Sequence, residues 1–168
     1  MSTFKRNLLQ ALFEEWQFFG FSSSDHITGT SDIQKKEYED GMYQRVAAYW
    51  QLVGRRYGSQ YSHLDGRDRG WPWSAAFISY CMDQAGAGDD FAYSSAHSTY
   101  INAALRAARD GDKKALYRAR PIKGYELKTG DMVAYWRGSK KITFDNALNI
   151  GWYQSHCCLL YTSDAADD

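Results

Sequence analysis

The pattern of apolar residues changes once along this chain, near Pro121, and that change limits the folds open to it. Upstream, apolar residues recur at steps of three and four, which is typical of amphipathic helices, within 8–19, 38–53, 74–85 and 98–109. Downstream, 126–138 reads as a turn followed by β-prone residues, and 141–145 and 150–157 are further strand-like segments. Helices followed by strands predict an α+β domain.

Short signals at the segment ends predict where the helices begin and end. Gly20 ends the first pattern, and Ser31 with Gln34 three residues later resembles a capping box that would begin the second helix. Because Pro72 disrupts the interior of a helix, we expect the third helix to begin at Ser74 and to end before Gly86.

The overall composition narrows the domain count and the classes of partner. The 168 residues suit one domain, which we assign to residues 1–157. The chain carries 20 basic and 20 acidic residues without a run of like charge, so we expect neither nucleic acid nor a membrane surface as partner.

The N-terminal segment gives no sign of a signal peptide, because Glu14 and Glu15 interrupt its apolar stretch. We therefore predict a location in the cytoplasm, or export by a non-classical or phage route.

Cysteines and charged loops give no sign of a metal or cofactor. The three cysteines show neither CxxC nor Cys/His spacing, so we predict no disulfide framework, no metal site and no cofactor. His63, Asp65 and Asp68 lie in HLDGRD, which lacks the calcium-loop pattern and is interpreted as a solvated loop. Cys81 follows Ser74 by about two helical turns and is predicted to be a core residue.

Three motifs could carry chemistry. WSAAFIS, at 73–79, places a small hydroxyl residue at a predicted helix start. AHS follows at 96–98, and SHC, at 155–157, places a histidine on a predicted strand. These motifs resemble those of the bacterial family called domain of unknown function 2272. That family is placed here among the papain-like cell-wall hydrolases of the NlpC and CHAP type, whose Thr-Gly-Asp turn before a strand resembles the turn that ends at Asp131.

The resemblance implies a papain-like fold, N-terminal helices followed by an antiparallel sheet, and hydrolysis of peptide or amide bonds in peptidoglycan. By position, Ser74 is the nucleophile and His156 the base, and an orienting third residue would follow His156. Ser74 stands where the superfamily has cysteine. A cysteine becomes a nucleophile when its surroundings lower the pKa of its thiol. A serine hydroxyl cannot be activated in that way and requires a base that removes its proton during attack.

Each candidate residue also has a purely structural interpretation. Ser74 could accept a backbone hydrogen bond as the N-cap of its helix. His97 could approach the same cleft or simply begin a helix with a satisfied ring. Trp71, Trp73 and Asp131 are candidates for the cleft walls, although the tryptophans would look the same as core residues. The alternative function is therefore a catalytically inactive module that binds cell wall or peptide.

The final residues, 158–168, differ abruptly in composition from what precedes them. They read CLLYTSDAADD and resemble one translated frame of the transposase adapter used in short-read DNA library preparation. We therefore expect these residues to be a non-native tail, with the domain and its sheet truncated after Cys157.

Overall fold

In the computed structural model, most of the helices precede a small antiparallel sheet, which confirms the α+β class. The structure describes residues 1–25 and 27–161. Within these residues the α-helices are α1 (Thr3–Phe18), α2 (Met42–Arg56), α3 (Ser74–Gln84), α4 (His97–Arg109) and the single turn α5 (Ala147–Ile150). The strands are β1 (Ser23–Ser24), β2 (Ser31–Asp32), β3 (Met132–Trp136) and β4 (Ser155–Leu159).

Helix α3 lies at the centre of the main hydrophobic core. Its buried side chains pack with those of α1, α2 and α4, the segment that leads to α4, and β4. Cys81 is fully buried, which confirms its predicted core position, and burial raises the pKa of its thiol. After Ala85, the C-terminal cap residue, Gly86 adopts a φ of +87°. A left-handed glycine at this position ends a helix without steric cost, as the sequence predicted.

The predicted start of the second helix at Ser31 is wrong. Ser31 lies in β2, where it pairs with Ser24, and α2 begins eleven residues later at Met42. Gly41, with a φ of +81°, is the N-cap residue directly before the helix. The capping-box signal fails because the Ser31 hydroxyl bonds to the Ser24 hydroxyl at 2.8 Å instead of capping a helix.

A buried ionic network joins α1 to α2. Glu15 is only 2% exposed, and its carboxylate accepts hydrogen bonds from the Arg45 guanidinium and the Tyr49 hydroxyl. The Arg45 Nε bond to Glu15 Oε2 is 3.0 Å long. Since a buried carboxylate needs partners for its charge, these two donors explain how Glu15 is tolerated in the core.

Strands β3 and β4 form an antiparallel pair with Tyr135 opposite His156 and Ala134 opposite Cys157. The further strand predicted at 141–145 is wrong. Thr143 and Asn146 instead exchange side-chain-to-backbone hydrogen bonds that form a turn immediately before α5. Such reciprocal bonding favours a helix start over an extended strand.

One side-chain bridge holds the approach to β4 against α4. The Asn102 amide donates to the Gly151 carbonyl, and its oxygen accepts from the Tyr153 hydroxyl at 3.0 Å. The contact therefore positions β4, which carries His156, relative to α4, which carries His97.

In the described part of the chain, no helix is long and apolar enough to cross a bilayer.

Candidate functional site

Ser74 is the first residue of α3, directly after Trp73, which is the N-cap residue of the helix. The first helical hydrogen bond runs from the Phe77 N–H to the Trp73 carbonyl, at 2.9 Å. Helix geometry leaves the N–H groups of Ser74, Ala75 and Ala76 without partners inside the helix. Ser74 therefore lies at the positive end of the helix dipole, beside backbone donors that could bind an anionic oxygen.

The Ser74 hydroxyl lies between two imidazoles. Its Oγ is 2.8 Å from His97 Nε2 and 3.5 Å from His156 Nδ1. The N-cap interpretation of Ser74 is therefore wrong: Trp73 holds the cap position, and within the described residues no side chain caps α3. The hydroxyl is committed to the histidines instead of to the backbone of its own helix.

His97 begins α4 and is buried, with 7% of its surface exposed. Burial, then the neighbouring His156 and Arg137, lower the pKa of His97 to about 4. Its other ring nitrogen, Nδ1, is hydrogen-bonded to the Tyr100 hydroxyl. His97 is thus a helix-start residue with a satisfied ring, and it also contacts Ser74, so both interpretations from the sequence describe it.

His156 reaches the site from β4. Burial and then the positive charge of Arg137 lower its pKa below the usual value of 6.5. Its ring centroid lies 5.4 Å from that of Tyr135, its cross-strand neighbour. Both histidines are therefore neutral at pH 7, and a neutral imidazole is the form that can accept a proton.

Sequence reasoning missed Tyr100, Tyr135 and Arg137. Tyr100 could have been found, because residues three apart share a face of a helix and His97 was already a candidate. Burial raises the pKa of Tyr100 well above 10, so its hydroxyl keeps its proton. Tyr135 and Arg137 approach the histidines only through the register of the β3–β4 pair, which no local pattern encodes.

The two tryptophans beside Ser74 differ in their surroundings. Trp73 stacks on Phe19, with ring centroids 6.1 Å apart, and packs against the core cluster of α2. Trp71 is 49% exposed and contacts the Trp50 ring edge to face at 6.4 Å. Trp73 is therefore a packing residue in this structure, whereas Trp71 presents about half of its surface to solvent.

Asp131 is not brought to the Ser74 hydroxyl. It precedes β3 at the end remote from Tyr135, and its carboxylate accepts a hydrogen bond from the Lys128 backbone N–H at 2.8 Å. Asp131 lines a separate, largely apolar cavity of about 450 Å³ between α4 and β3. Tyr100 and Tyr135 also line this cavity, so it lies behind the residues that contact the two histidines.

The HLDGRD loop is built from internal polar contacts. Asp65 forms an ion pair with Arg67, which lowers the pKa of the Asp65 carboxyl, and the Asp68 carboxylate accepts from the Asp65 N–H at 2.7 Å. Across residues 1–25 and 27–161, no group of three histidine, cysteine or acidic side chains could hold a metal ion. These carboxylates therefore serve the turn itself.

The third residue expected after His156 stays a prediction, and residues 162–168 of the predicted tail lie outside the described part of the chain. Cys158 and Leu159, its first residues, pair with Val133 and Met132 in the sheet.

Comparison with family models matches residues 37–168, more than half of the chain, to the family described as "Uncharacterized protein conserved in bacteria (DUF2272)". No curated protein and no solved structure matches the chain.

Proposed function

The chain belongs to the DUF2272 family of uncharacterised bacterial proteins, and from its site we propose a hydrolase of peptide or amide bonds in peptidoglycan with Ser74 as nucleophile. One observation carries this proposal: the Ser74 hydroxyl, at a helix N-terminus, lies within reach of two neutral imidazoles. A nucleophile beside a base and beside backbone N–H donors is the arrangement that acyl transfer requires. A nucleophile that begins a helix, with a histidine on a strand, also fits the papain-like arrangement that the motifs resemble.

In the proposed reaction, His156 Nδ1 accepts the Ser74 proton while Oγ bonds to the carbonyl carbon of the substrate. The carbonyl π electrons move to its oxygen, and the first-turn N–H groups of α3 stabilise that oxyanion. The intermediate collapses as the C–N bond breaks and His156 returns its proton to the leaving amine. Water then attacks the acyl-Ser74 ester while His156 accepts its proton. The second intermediate collapses as the C–Oγ bond breaks, and His156 returns that proton to Oγ, which releases the acid and restores the serine.

Two exposed tryptophans, one in the sheet that carries His156 and one shortly before β4, support a substrate made of sugar and peptide. Trp136, the neighbour of Tyr135 on β3, is 43% exposed, and Trp152, shortly before β4, is 68% exposed. Exposed aromatic rings with a polar edge are common at sugar and peptide contacts. The formal net charge of zero gives no preference for a polyanion.

The test compares the full chain with Ser74→Ala and, as a matched control, Ser139→Ala on an exposed loop. Each is incubated with purified peptidoglycan and with p-nitrophenyl acetate, and released amines and nitrophenol are measured. We expect turnover by the wild type and the control, and a turnover rate at least about a hundredfold lower for Ser74→Ala. Equal turnover by Ser74→Ala would remove Ser74 from the mechanism.

The exposed rings Trp136 and Trp152 also support a second candidate, a binding module that retains the fold without turnover. This candidate predicts saturable retention of the chain on peptidoglycan, no released amines, and weaker retention of Trp152→Ala with Ser74→Ala unchanged. Absence of saturable retention would exclude it.

A further inference from the structure

We propose that His97 is a second catalytic residue, a fixed hydrogen-bond donor to Ser74 Oγ, and that Tyr100 is the positioning residue that sets its tautomer. This inference rests on the proposed function, because it assigns a role around the same nucleophile. It gives the two histidines opposite roles: His97 donates to the serine oxygen, and His156 accepts the serine proton.

The direction of the Tyr100 hydrogen bond follows from its burial. Tyr100 is 3% exposed, and its hydroxyl is hydrogen-bonded to His97 Nδ1. Its other polar neighbour is the thiol of Cys157, a weak acceptor that can instead donate its S–H to the phenol oxygen. Because an imidazole nitrogen is a stronger acceptor than a thiol sulfur, the buried Tyr100 hydroxyl donates to His97 Nδ1.

The Tyr100 bond determines where the proton of His97 lies. A neutral imidazole carries one proton, so an Nδ1 that accepts from Tyr100 leaves that proton on Nε2. Nε2 is 2.8 Å from Ser74 Oγ and therefore donates to it. The hydrogen of the serine is then directed to the remaining acceptor, His156 Nδ1, at 3.5 Å.

This arrangement has a catalytic consequence in the second half of the reaction. When the acyl-Ser74 bond breaks, negative charge develops on Oγ, and the Nε2–H of His97 stabilises that charge as His156 returns the proton. His97 itself transfers no proton. If Nε2 gave its proton to Oγ, the ring would have to take a replacement proton from the Tyr100 hydroxyl through Nδ1, and that would leave Tyr100 ionised.

The tautomer can be measured without any substrate. We would label the histidine rings of the full chain with ¹⁵N and record long-range ¹H–¹⁵N correlations at pH 7.5, assigning His97 by His97→Gln. We expect a bare Nδ1 and a protonated Nε2 on His97, and a mixture of tautomers in Tyr100→Phe. A protonated Nδ1 in the wild type would overturn the inference.

A second measurement separates the roles of the two histidines. A fluorophosphonate probe labels activated serines, and the labelling rate of Ser74 is followed by intact mass. Because glutamine retains an N–H donor but no base, we expect His97→Gln to slow labelling about fivefold. His156→Gln should slow it at least about a hundredfold, and exposed His63→Gln should leave it unchanged.

The reverse order of the two glutamine variants would overturn the inference, since it would make His97 the base. A wild type that is not labelled at Ser74 would instead overturn the proposed hydrolase function. The NMR tautomer distinguishes these failures, because it depends on the hydrogen bonds of the folded chain and not on turnover.

Discussion

The rings of His97 and His156 lie with their centroids 4.9 Å apart and their planes at 62°. At this separation a proton on one ring opposes a proton on the other, and both rings are also desolvated by burial. His97 therefore stays neutral down to about pH 4, and His156 gains its charge only below pH 6.5. That property gives the site a measurable pH dependence.

The first prediction concerns the pH dependence of Ser74 reactivity. His156 accepts a proton only when neutral, and its pKa is lowered, so fluorophosphonate labelling should persist at pH 6.5 and decline only at lower pH. Arg137 contributes to that lowering, so Arg137→Gln should move the decline to higher pH, by less than about one unit because the side chain is exposed. Arg106→Gln, an exposed change on α4, should leave the profile in place; an unmoved profile in both variants would contradict the role of Arg137.

The second prediction concerns stability. The pKa of His97 is about 4 in the folded chain and 6.5 in the unfolded chain, so between these values the unfolded state binds more protons. The His97 contribution is complete above pH 6.5 and is lost as the pH falls toward 4. The free energy of unfolding should therefore drop by about 2 to 3 kcal/mol by pH 4.5 on account of this residue.

Urea unfolding at pH 7.5, 5.5 and 4.5 checks this decline. His97→Gln should remove that share of the decline, whereas His63→Gln, in an exposed loop, should retain it. The same slope in wild type and His97→Gln would show that other groups cause the acid sensitivity.

The third prediction concerns Ser79, which ties α3 to the segment before His97. Its hydroxyl donates to the Ser94 carbonyl at 3.1 Å and accepts from the Ser94 N–H at 3.2 Å, and both residues are fully buried. Ser79→Ala leaves both backbone groups unsatisfied and should reduce the free energy of unfolding by about 2 kcal/mol. The Ser79→Ala variant should also slow the labelling of Ser74, since His97 follows this segment. Ser139→Ala serves as the control. A Ser79→Ala variant as stable as the wild type would contradict the role of these hydrogen bonds.

The fourth prediction concerns the buried ionic network of Glu15. Arg45→Met removes its cationic partner and should cost about 2 kcal/mol, less than a fully buried pair because the guanidinium is partly exposed. The double variant with Glu15→Gln should recover part of that loss, since it removes the uncompensated charge. Thermal unfolding at pH 7.5 measures both, with Arg109→Met, in an exposed pair with Asp110, as the control. A double variant less stable than Arg45→Met alone would contradict this account.

Helix bounds were predictable where the chain provides a local signal that nothing overrides. Pro72 and Gly86 bracket α3, and its start at Ser74 agrees with the sequence. The prediction at Ser31 was wrong because its hydroxyl bonds to a cross-strand partner, Ser24, which lies outside the few residues that make up the capping pattern. The strand predicted around Thr143 was wrong because a local interaction prevails there: the turn that Thr143 forms with Asn146 outweighs the strand preference of its neighbours.

The site was predictable only in part. The motifs made Ser74 and His156 candidates, whereas the contact between Ser74 and His97 depends on how α4 packs against α3. That placement is set by tertiary contacts, including the buried Ser79–Ser94 hydrogen bonds, which no periodic pattern in the sequence predicts. The role of Tyr100 then follows from its helical spacing to His97, once His97 is known to be in the site.

The pairing of Tyr135 with His156 makes the position of the proposed base depend on the register of the strand pair. Successive side chains on β4 face opposite sides of the sheet, so a slip of one residue would present Ser155 or Cys157 in place of the imidazole. A slip of two would restore the face but carry the ring about 7 Å along the strand. Length changes in the connection at 137–154 that shift this pairing should therefore remove the proposed base from the site completely instead of weakening it by degrees.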